Sequence, residues 1–282
     1  MGARIQTMAN SPHRLRRLAH GMLLLVVLGT ALLTSGCLAN SEARQLSDKA
    51  QALWKGGRYQ DAARNFITVA ELYPSSQLAE GSLYWAACLY QYYIQDLDQA
   101  ARQYQRLLVT YPKGRYFYEA KLNLAEVYAQ RKDTRHRALQ IYQQLLLADE
   151  LAHRRDWLRM KLARLNLQMG KMDQARMEVR DLLVKEPKSP LRPQAYYLVG
   201  YSYYLEKRYD LALFAMRQIG KDFPGTLTSL RAQYFVADTL EERGHMREAL
   251  AAYQVLRDKY PNPDIVDKRI KTLQARIRRG VR

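Results

Sequence analysis

A phrase of 37 or 38 residues recurs six times along this chain, and its period limits the possible fold more than any other feature. In the last copy, Ala249 is followed by an aromatic residue four positions later and by Pro261 twelve positions later. The equivalent alanines are Ala62, Ala100, Ala138, Ala175, Ala212 and Ala249. A fixed period of this length with helical spacing is typical of stacked helix pairs. Only 14 glycines and 9 prolines are present, mostly between phrases, which favours an all-α protein.

Each phrase predicts two helices, here called helix A and helix B, joined by a short turn. In the first phrase Ala50 lies on the apolar face of helix A, and Tyr59 to Leu72 form helix B, which Pro74 ends. Small residues in both helices let the two backbones approach closely, and the aromatic residue fills the gap toward the next repeat. Cys88 takes the small position of the second helix A, so we expect a buried packing residue rather than a reactive thiol.

This pattern resembles the tetratricopeptide repeat, which has small residues at its eighth and twentieth positions, an aromatic residue at its twenty-fourth and proline at its thirty-second. The resemblance covers residues 46–264 and implies a right-handed solenoid of about six helix pairs. Residues 265–282 form an amphipathic segment that is predicted to cap the last repeat. Seven residues between Lys268 and Arg282 are Lys or Arg, and we interpret them as the solvated back of this cap; contact with anionic lipid is the alternative.

The first 36 residues have the features of a signal peptide. Four arginines and no acidic residue precede an apolar run from Gly21 to Leu33, whose length as a helix is about 20 Å, too short for a bilayer core of roughly 30 Å. The run leads into Thr34, Ser35, Gly36 and Cys37, which resemble the lipobox of bacterial lipoproteins. This resemblance implies that residues 1–36 are removed, that Cys37 is acylated, and that residues 37–45 contain a short tether. By resemblance to Gram-negative lipoproteins, the absence of Asp after the cysteine implies transfer to the outer membrane.

Charge and chemistry narrow the function further. The net charge of +18 suggests an anionic partner or surface. The predicted signal for export argues against nucleic acid as that partner. The five histidines are not spaced as metal ligands, and the chain contains no HExxH, GxSxG, Walker-type or GxGxxG motif. We therefore predict a protein that is not an enzyme and that needs neither a metal nor another cofactor.

Tetratricopeptide arrays bind peptides mainly on the concave surface that helix A lines, at the fifth, ninth and twelfth positions of a repeat. The resemblance therefore implies a partner-binding groove formed by Trp85, Leu89, Tyr92, Tyr197, Tyr201, Tyr204 and Tyr234. Tyrosine combines a flat apolar ring with a hydrogen-bonding hydroxyl, which suits it to anchor an interface. We expect Tyr196 and Tyr203 to pack against neighbouring helices instead.

The combination of lipobox, repeats and Tyr-Pro junctions, such as Tyr73-Pro74 and Tyr111-Pro112, resembles the BamD-type lipoproteins of the β-barrel assembly machinery at the level of architecture. This resemblance implies a lipid-anchored scaffold on the periplasmic face of the outer membrane, with other envelope proteins as partners during outer-membrane protein assembly. One alternative is a cell-envelope or division coordinator associated with a Tol-Pal-like system. Others are a pilotin-like assembly factor for a secretin or pilus, and an envelope enzyme or its regulatory subunit, which no residue supports.

Overall fold

The computed structural model describes residues 40–280, and within this range every regular element is a helix. The helices are α1 (40–55), α2 (Tyr59–Leu72), α3 (Ala79–Cys88), α4 (Leu97–Thr110), α5 (Phe117–Gln130), α6 (Arg135–Leu146), α7 (Arg155–Gln168), α8 (Met172–Lys185), α9 (Arg192–Leu205), α10 (Tyr209–Asp222), α11 (Leu227–Glu242), α12 (Met246–Leu256) and α13 (Pro263–Arg278). A π-helical turn, Leu89–Ile94, extends α3, and a 3₁₀ segment, Asp149–Arg154, precedes α7. The all-α prediction is confirmed. The signal peptide and Cys37 lie outside the described residues.

The helices follow the predicted order of helix A and helix B, with odd-numbered helices from α1 to α11 as A and even-numbered helices from α2 to α12 as B. The chain divides into two compact units, unit 1 up to Val127 and unit 2 from Tyr128 onward. In unit 1, α3 packs against both α2 and α4. In unit 2, successive helices from α6 to α13 pack against each other, and α9 also contacts α7 and α11. These contacts place helix A of one repeat beside helix A of the next.

The recurring small and large residues of helix B form the core, as the repeat pattern predicts. The six alanines that define the period are at most 2% exposed, and the side chains four positions later are at most 1% exposed: Phe66, Tyr104, Tyr142, Val179, Met216 and Tyr253. Helix A and helix B also approach closely at Gly200 in α9. A Cβ atom there would lie only 2.9 Å from Met216 Cε of α10, so any larger residue would require the Met216 side chain to shift.

The backbone repeats with the same period at the turn between helix A and helix B. Five of these turns contain a residue with positive φ: Gly57, Gln95, Gly170, Lys207 and Gly244. Glycine adopts this left-handed conformation without steric cost, whereas Gln95 and Lys207 adopt it against the preference of a side-chain-bearing residue. The turn of the third repeat, between α5 and α6, contains no such residue and runs over four positions. A longer turn can reverse direction without a left-handed residue.

The start of the repeats differs from the prediction. Residues 40–45 are helical and belong to α1, so the tether predicted for residues 37–45 does not extend through them. Ala43 is fully buried, and Tyr73 donates a hydrogen bond to a Glu42 carboxylate oxygen at 2.7 Å, so contacts with the repeat stabilise the helix this far. At the other end, the predicted apolar stripe of α13 is buried through Val266, Ile270 and Leu273. Among residues 40–280, none of the helices has the length and apolarity needed to cross a bilayer.

Candidate protein-binding surfaces

In unit 1, the predicted groove residue Trp85 lies at the centre of an aromatic cluster on helix A. Its ring centroid is 5.5 Å from that of Trp54 in α1 and 5.1 Å from that of Tyr84 in α3. Tyr116, just before α5, stacks on Tyr84 at 4.6 Å. Trp85 remains 37% exposed, so one part of its ring is held by neighbours and another part faces solvent. A partly exposed and well-supported indole is suited to anchor a partner.

Leu89 is the predicted groove residue of unit 1 that the structure does not place on the surface. It is fully buried with Ala50 of α1 and Phe66 of α2 and is not accessible to a partner. Its N–H still donates to Trp85 O as in an α-helix, so the packing of α1 and α2, not a rotation by the π-helical turn, accounts for its burial. Tyr92 is 51% exposed, as a groove residue should be. Its neighbour Tyr93 is also exposed and was not predicted; its ring packs against Tyr59 at 4.6 Å.

A buried polar network lies beneath this cluster. The Tyr104 hydroxyl donates to Gln91 Oε1 at 2.8 Å and accepts from Asn123 Nδ2 at 3.1 Å, and it lies 3.3 Å from Cys88 Sγ. Burial raises the pKa of the Cys88 thiol, while the hydrogen bond with Tyr104 opposes this shift. Cys88 is therefore a protonated packing residue, and the prediction that it is not a reactive thiol is supported by its environment.

In unit 2, three predicted residues of α9 share one surface with an aromatic residue of α11. The rings of Tyr197, Tyr201 and Tyr204 lie 5.9, 6.0 and 4.9 Å from the ring of Phe235, each with edge-to-face geometry. We call these four residues the tyrosine face. Tyr201 is 36% exposed, and the other three are half-buried. Phe235 was missed because it follows the assigned groove position Tyr234 by one residue, although its aromatic character could have indicated it.

Hydrogen bonding fixes one edge of the tyrosine face. The Tyr204 hydroxyl donates to Glu242 at the end of α11, and this hydrogen bond to a carboxylate, with some burial, raises the pKa of Tyr204. Burial also raises the pKa of Tyr197. Both phenols therefore stay protonated at neutral pH. The Tyr204 hydroxyl gives its one proton to Glu242, so it can only accept a hydrogen bond from a partner. The face combines a rigid apolar surface with phenol hydroxyls, which suits contact with apolar side chains and polar groups of a peptide.

Tyr234, the remaining predicted groove residue, belongs to a different cluster. Its ring stacks on Tyr260 at 5.2 Å and meets the buried ring of Tyr253 at 5.3 Å. Arg269 of α13 donates to the Tyr234 hydroxyl at 3.4 Å and to Asp238 Oδ1 at 3.0 Å. The cap therefore covers part of Tyr234, and the structure does not bring this residue into the tyrosine face.

The basic end of the chain is partly neutralised by the last repeat. Besides the Arg269 contact with Asp238, Arg276 pairs with Glu241 at 2.8 Å. These bonds hold α13 against α11, so Arg269 and Arg276 pair with the last repeat and do not belong to the predicted solvated back of the cap. Among residues 40–280, no group of three or more His, Cys, Asp or Glu side chains is arranged to hold a metal ion.

Two family profiles described as tetratricopeptide repeat match the chain, one over residues 47–91 and 160–220 and the other over residues 82–114 and 231–263. A tetratricopeptide repeat protein from Parabacteroides merdae has a similar structure, with a TM-score of 0.61 and 16% identity over 83% of this chain and 88% of that chain. The kinesin light chain repeats of Podosopora anserina give a TM-score of 0.50 and 16% identity, over 66% of this chain and 98% of theirs. No curated protein matches the chain in sequence. At these identities the structures share the fold alone.

Proposed function

The chain is a tetratricopeptide repeat protein, and we propose that it is an interaction scaffold whose tyrosine face binds segments of partner proteins. The observation that best supports this function is the arrangement of Tyr197, Tyr201 and Tyr204 around Phe235 on two neighbouring A helices. Rings already held in place lose little conformational freedom on binding, so a partner gains most of the contact free energy. In unit 1, Trp85 and Tyr92 provide further exposed aromatic surface.

We further propose that the scaffold is anchored by an acylated Cys37 to the periplasmic face of the outer membrane. This proposal rests on the four arginines, the short apolar run and the lipobox-like residues before Cys37. On the same architectural resemblance, we propose that its partners are components of outer-membrane protein assembly. Together these features describe a scaffold that holds envelope proteins at the membrane surface.

Replacement of Cys37 tests the anchor. We expect Cys37→Ala to move the protein from the membrane fraction to the soluble periplasm, because the acyl chains supply the membrane affinity. Cys88→Ala removes the other cysteine and should leave the protein in the membrane fraction. A Cys37→Ala protein that remains fully membrane-bound would overturn the proposed anchor without affecting the proposed binding face.

Affinity purification from detergent extracts tests the binding face and the partner class. Under the proposal, the wild-type protein recovers barrel-assembly subunits, and Tyr201→Ala with Tyr204→Ala lowers their recovery by about tenfold. Phe214→Ala is the matched control, since Phe214 is 64% exposed but lies on α10, outside the tyrosine face. Recovery of Tol-Pal or secretin components instead would show that the partners are not components of outer-membrane protein assembly. Equal recovery with all variants would contradict the binding face.

A further inference from the structure

A second groove lies on unit 2 between two B helices, α10 and α12. Its volume is about 580 Å³, and its floor is apolar, formed by Met216, Val236 and Ala252. The groove is open because Gly220 and Ala251, on its two sides, have small side chains. A Cβ atom added at Gly220 would have only Gln233 Nε2 near it, at 4.0 Å, and Ala251 on the opposite wall is exposed.

The rim of this groove is positively charged on one side. Arg217 and Lys221 lie four residues apart on α10, which places them about 6 Å apart along the helix axis on the same face. No acidic residue lines the groove, and within residues 40–280 neither cation forms an ion pair. Elsewhere in unit 2, Arg176 and Arg243 each have a carboxylate partner. The two rim cations are therefore exposed charges beside exposed apolar surface.

The opposite wall completes an amphipathic site. Val255 of α12 is 64% exposed, although it is an aliphatic residue one turn from Ala251 on the same helix. The groove lies between α10 and α12, with Val236 of α11 at its base, so a third helix placed along it would contact both walls. Apolar side chains of that helix would contact Ala252 and Val255, and its flanking residues would meet Arg217 and Lys221.

We propose that this groove, defined by Arg217, Gly220, Lys221, Ala251 and Val255, is a second binding surface that takes an amphipathic helix of a partner protein with Asp or Glu beside its apolar stripe. The groove shares no residue with the tyrosine face, so the proposal does not depend on the function proposed for that face. A helix is favoured over a lipid acyl chain because the groove is open along α12, where Ala251 and Val255 are exposed. An acyl chain placed there would remain in contact with water.

Binding of two matched synthetic peptides to the purified protein tests this proposal. Both are amphipathic helices of about 18 residues, or five turns, with a leucine stripe that is flanked by Glu in one peptide and by Lys in the other. In fluorescence anisotropy we expect the Glu peptide to bind more tightly than the Lys peptide, and added salt to weaken it. The double variant Arg217→Glu with Lys221→Glu should lower the affinity for the Glu peptide by at least about tenfold and raise the affinity for the Lys peptide.

Control variants separate the groove from general electrostatics and from the tyrosine face. Arg180→Glu with Lys188→Glu makes the same change in charge at exposed positions of unit 2 outside the groove and should leave affinity within about twofold. Ala251→Trp should fill the groove and lower the affinity for the Glu peptide, whereas Tyr201→Ala should leave that affinity unchanged. Equal binding of the two peptides, or no effect of the groove variants, would overturn the proposal. Binding to phosphatidylglycerol vesicles tests lipid as the alternative. If the vesicles bind through Arg217 and Lys221 and the Glu peptide does not bind, the surface is assigned to lipid instead.

Discussion

The tyrosines at the repeated aromatic position of helix B and those at the groove positions of helix A have the same side chain but occupy different environments. Tyr104, Tyr142 and Tyr253 in helix B are at most 1% exposed and are among the largest fully buried side chains of the described residues. Tyr92 and Tyr201 in helix A remain 51% and 36% exposed. The position of a tyrosine within the repeat therefore decides whether it stabilises the fold or is available to a partner.

This difference explains why the most regular residues of the chain are not its candidate binding residues. The helix B aromatic fills the gap between consecutive repeats, so every repeat needs an apolar side chain there. A helix A aromatic contacts the fold with only part of its ring, and repeats without a binding role can replace it. In the third and fourth repeats, for example, the ninth position is Glu126 and Arg164.

The largest effect is expected from removing a helix B tyrosine. Tyr253→Ala should lower the free energy of unfolding by about 3–5 kcal/mol, because it leaves a cavity among the buried residues of α11, α12 and α13. Tyr253→Phe keeps the ring and loses only the 3.4 Å hydrogen bond to Asp238, so its cost should be about 1 kcal/mol. Urea denaturation measures both. Similar losses for the two variants would show that the hydroxyl, not the ring, stabilises this core.

Overpacking beside that tyrosine should have the next largest effect. Ala249 is fully buried, and Ala249→Trp should cost about 1–3 kcal/mol or more because α12 must move away from its neighbours. Ala251→Trp places the same side chain on the exposed side of the same helix and should change stability by less than about 0.5 kcal/mol. The comparison would fail if the two variants unfolded at the same urea concentration.

Truncation of a helix A tyrosine should cost much less. Tyr201→Ala loses ring contacts with Tyr204 and Phe235 but leaves no enclosed cavity, so we expect a loss of about 1 kcal/mol or less. Thermal denaturation alongside Tyr253→Ala gives the direct contrast. If Tyr201→Ala destabilised the protein as much as Tyr253→Ala, Tyr201 would be a core residue and would be removed from the tyrosine face.

The smallest effect concerns the pH response of the buried thiol of Cys88. Burial raises the pKa of Cys88, so the folded state holds the thiol proton more tightly than the unfolded state. The buried thiol therefore contributes fully to stability below about pH 8.5, the pKa of a thiol in the unfolded state. This contribution is lost as the pH rises through the higher pKa of the folded state. In a Cys37→Ala background, stability should fall slightly more steeply between about pH 8 and 10 than in the matched Cys88→Ala variant. Parallel pH profiles would contradict this assignment.

The groove positions implied by the tetratricopeptide resemblance predicted some of the candidate binding residues. In α9 they identified Tyr197, Tyr201 and Tyr204, which the structure places on one surface. The prediction was wrong for Leu89, because residues of α1 and α2 bury that side chain. It also missed Phe235, which joins the three tyrosines only because α11 packs beside α9. Periodicity describes one helix at a time, whereas a surface made by two helices depends on how they pack.

The helix pairs, their period and the side chains that fill the core can be read from the amino-acid sequence, because local spacing and residue size specify these features in every repeat. The exposed surface of the aromatic residues, the cover of α13 over Tyr234 and the groove that Gly220 and Ala251 leave between two B helices depend on tertiary packing. This is because the exposure of a residue depends on every neighbour that approaches it. Those neighbours come from other helices, as Phe235 of α11 does for Tyr201 of α9.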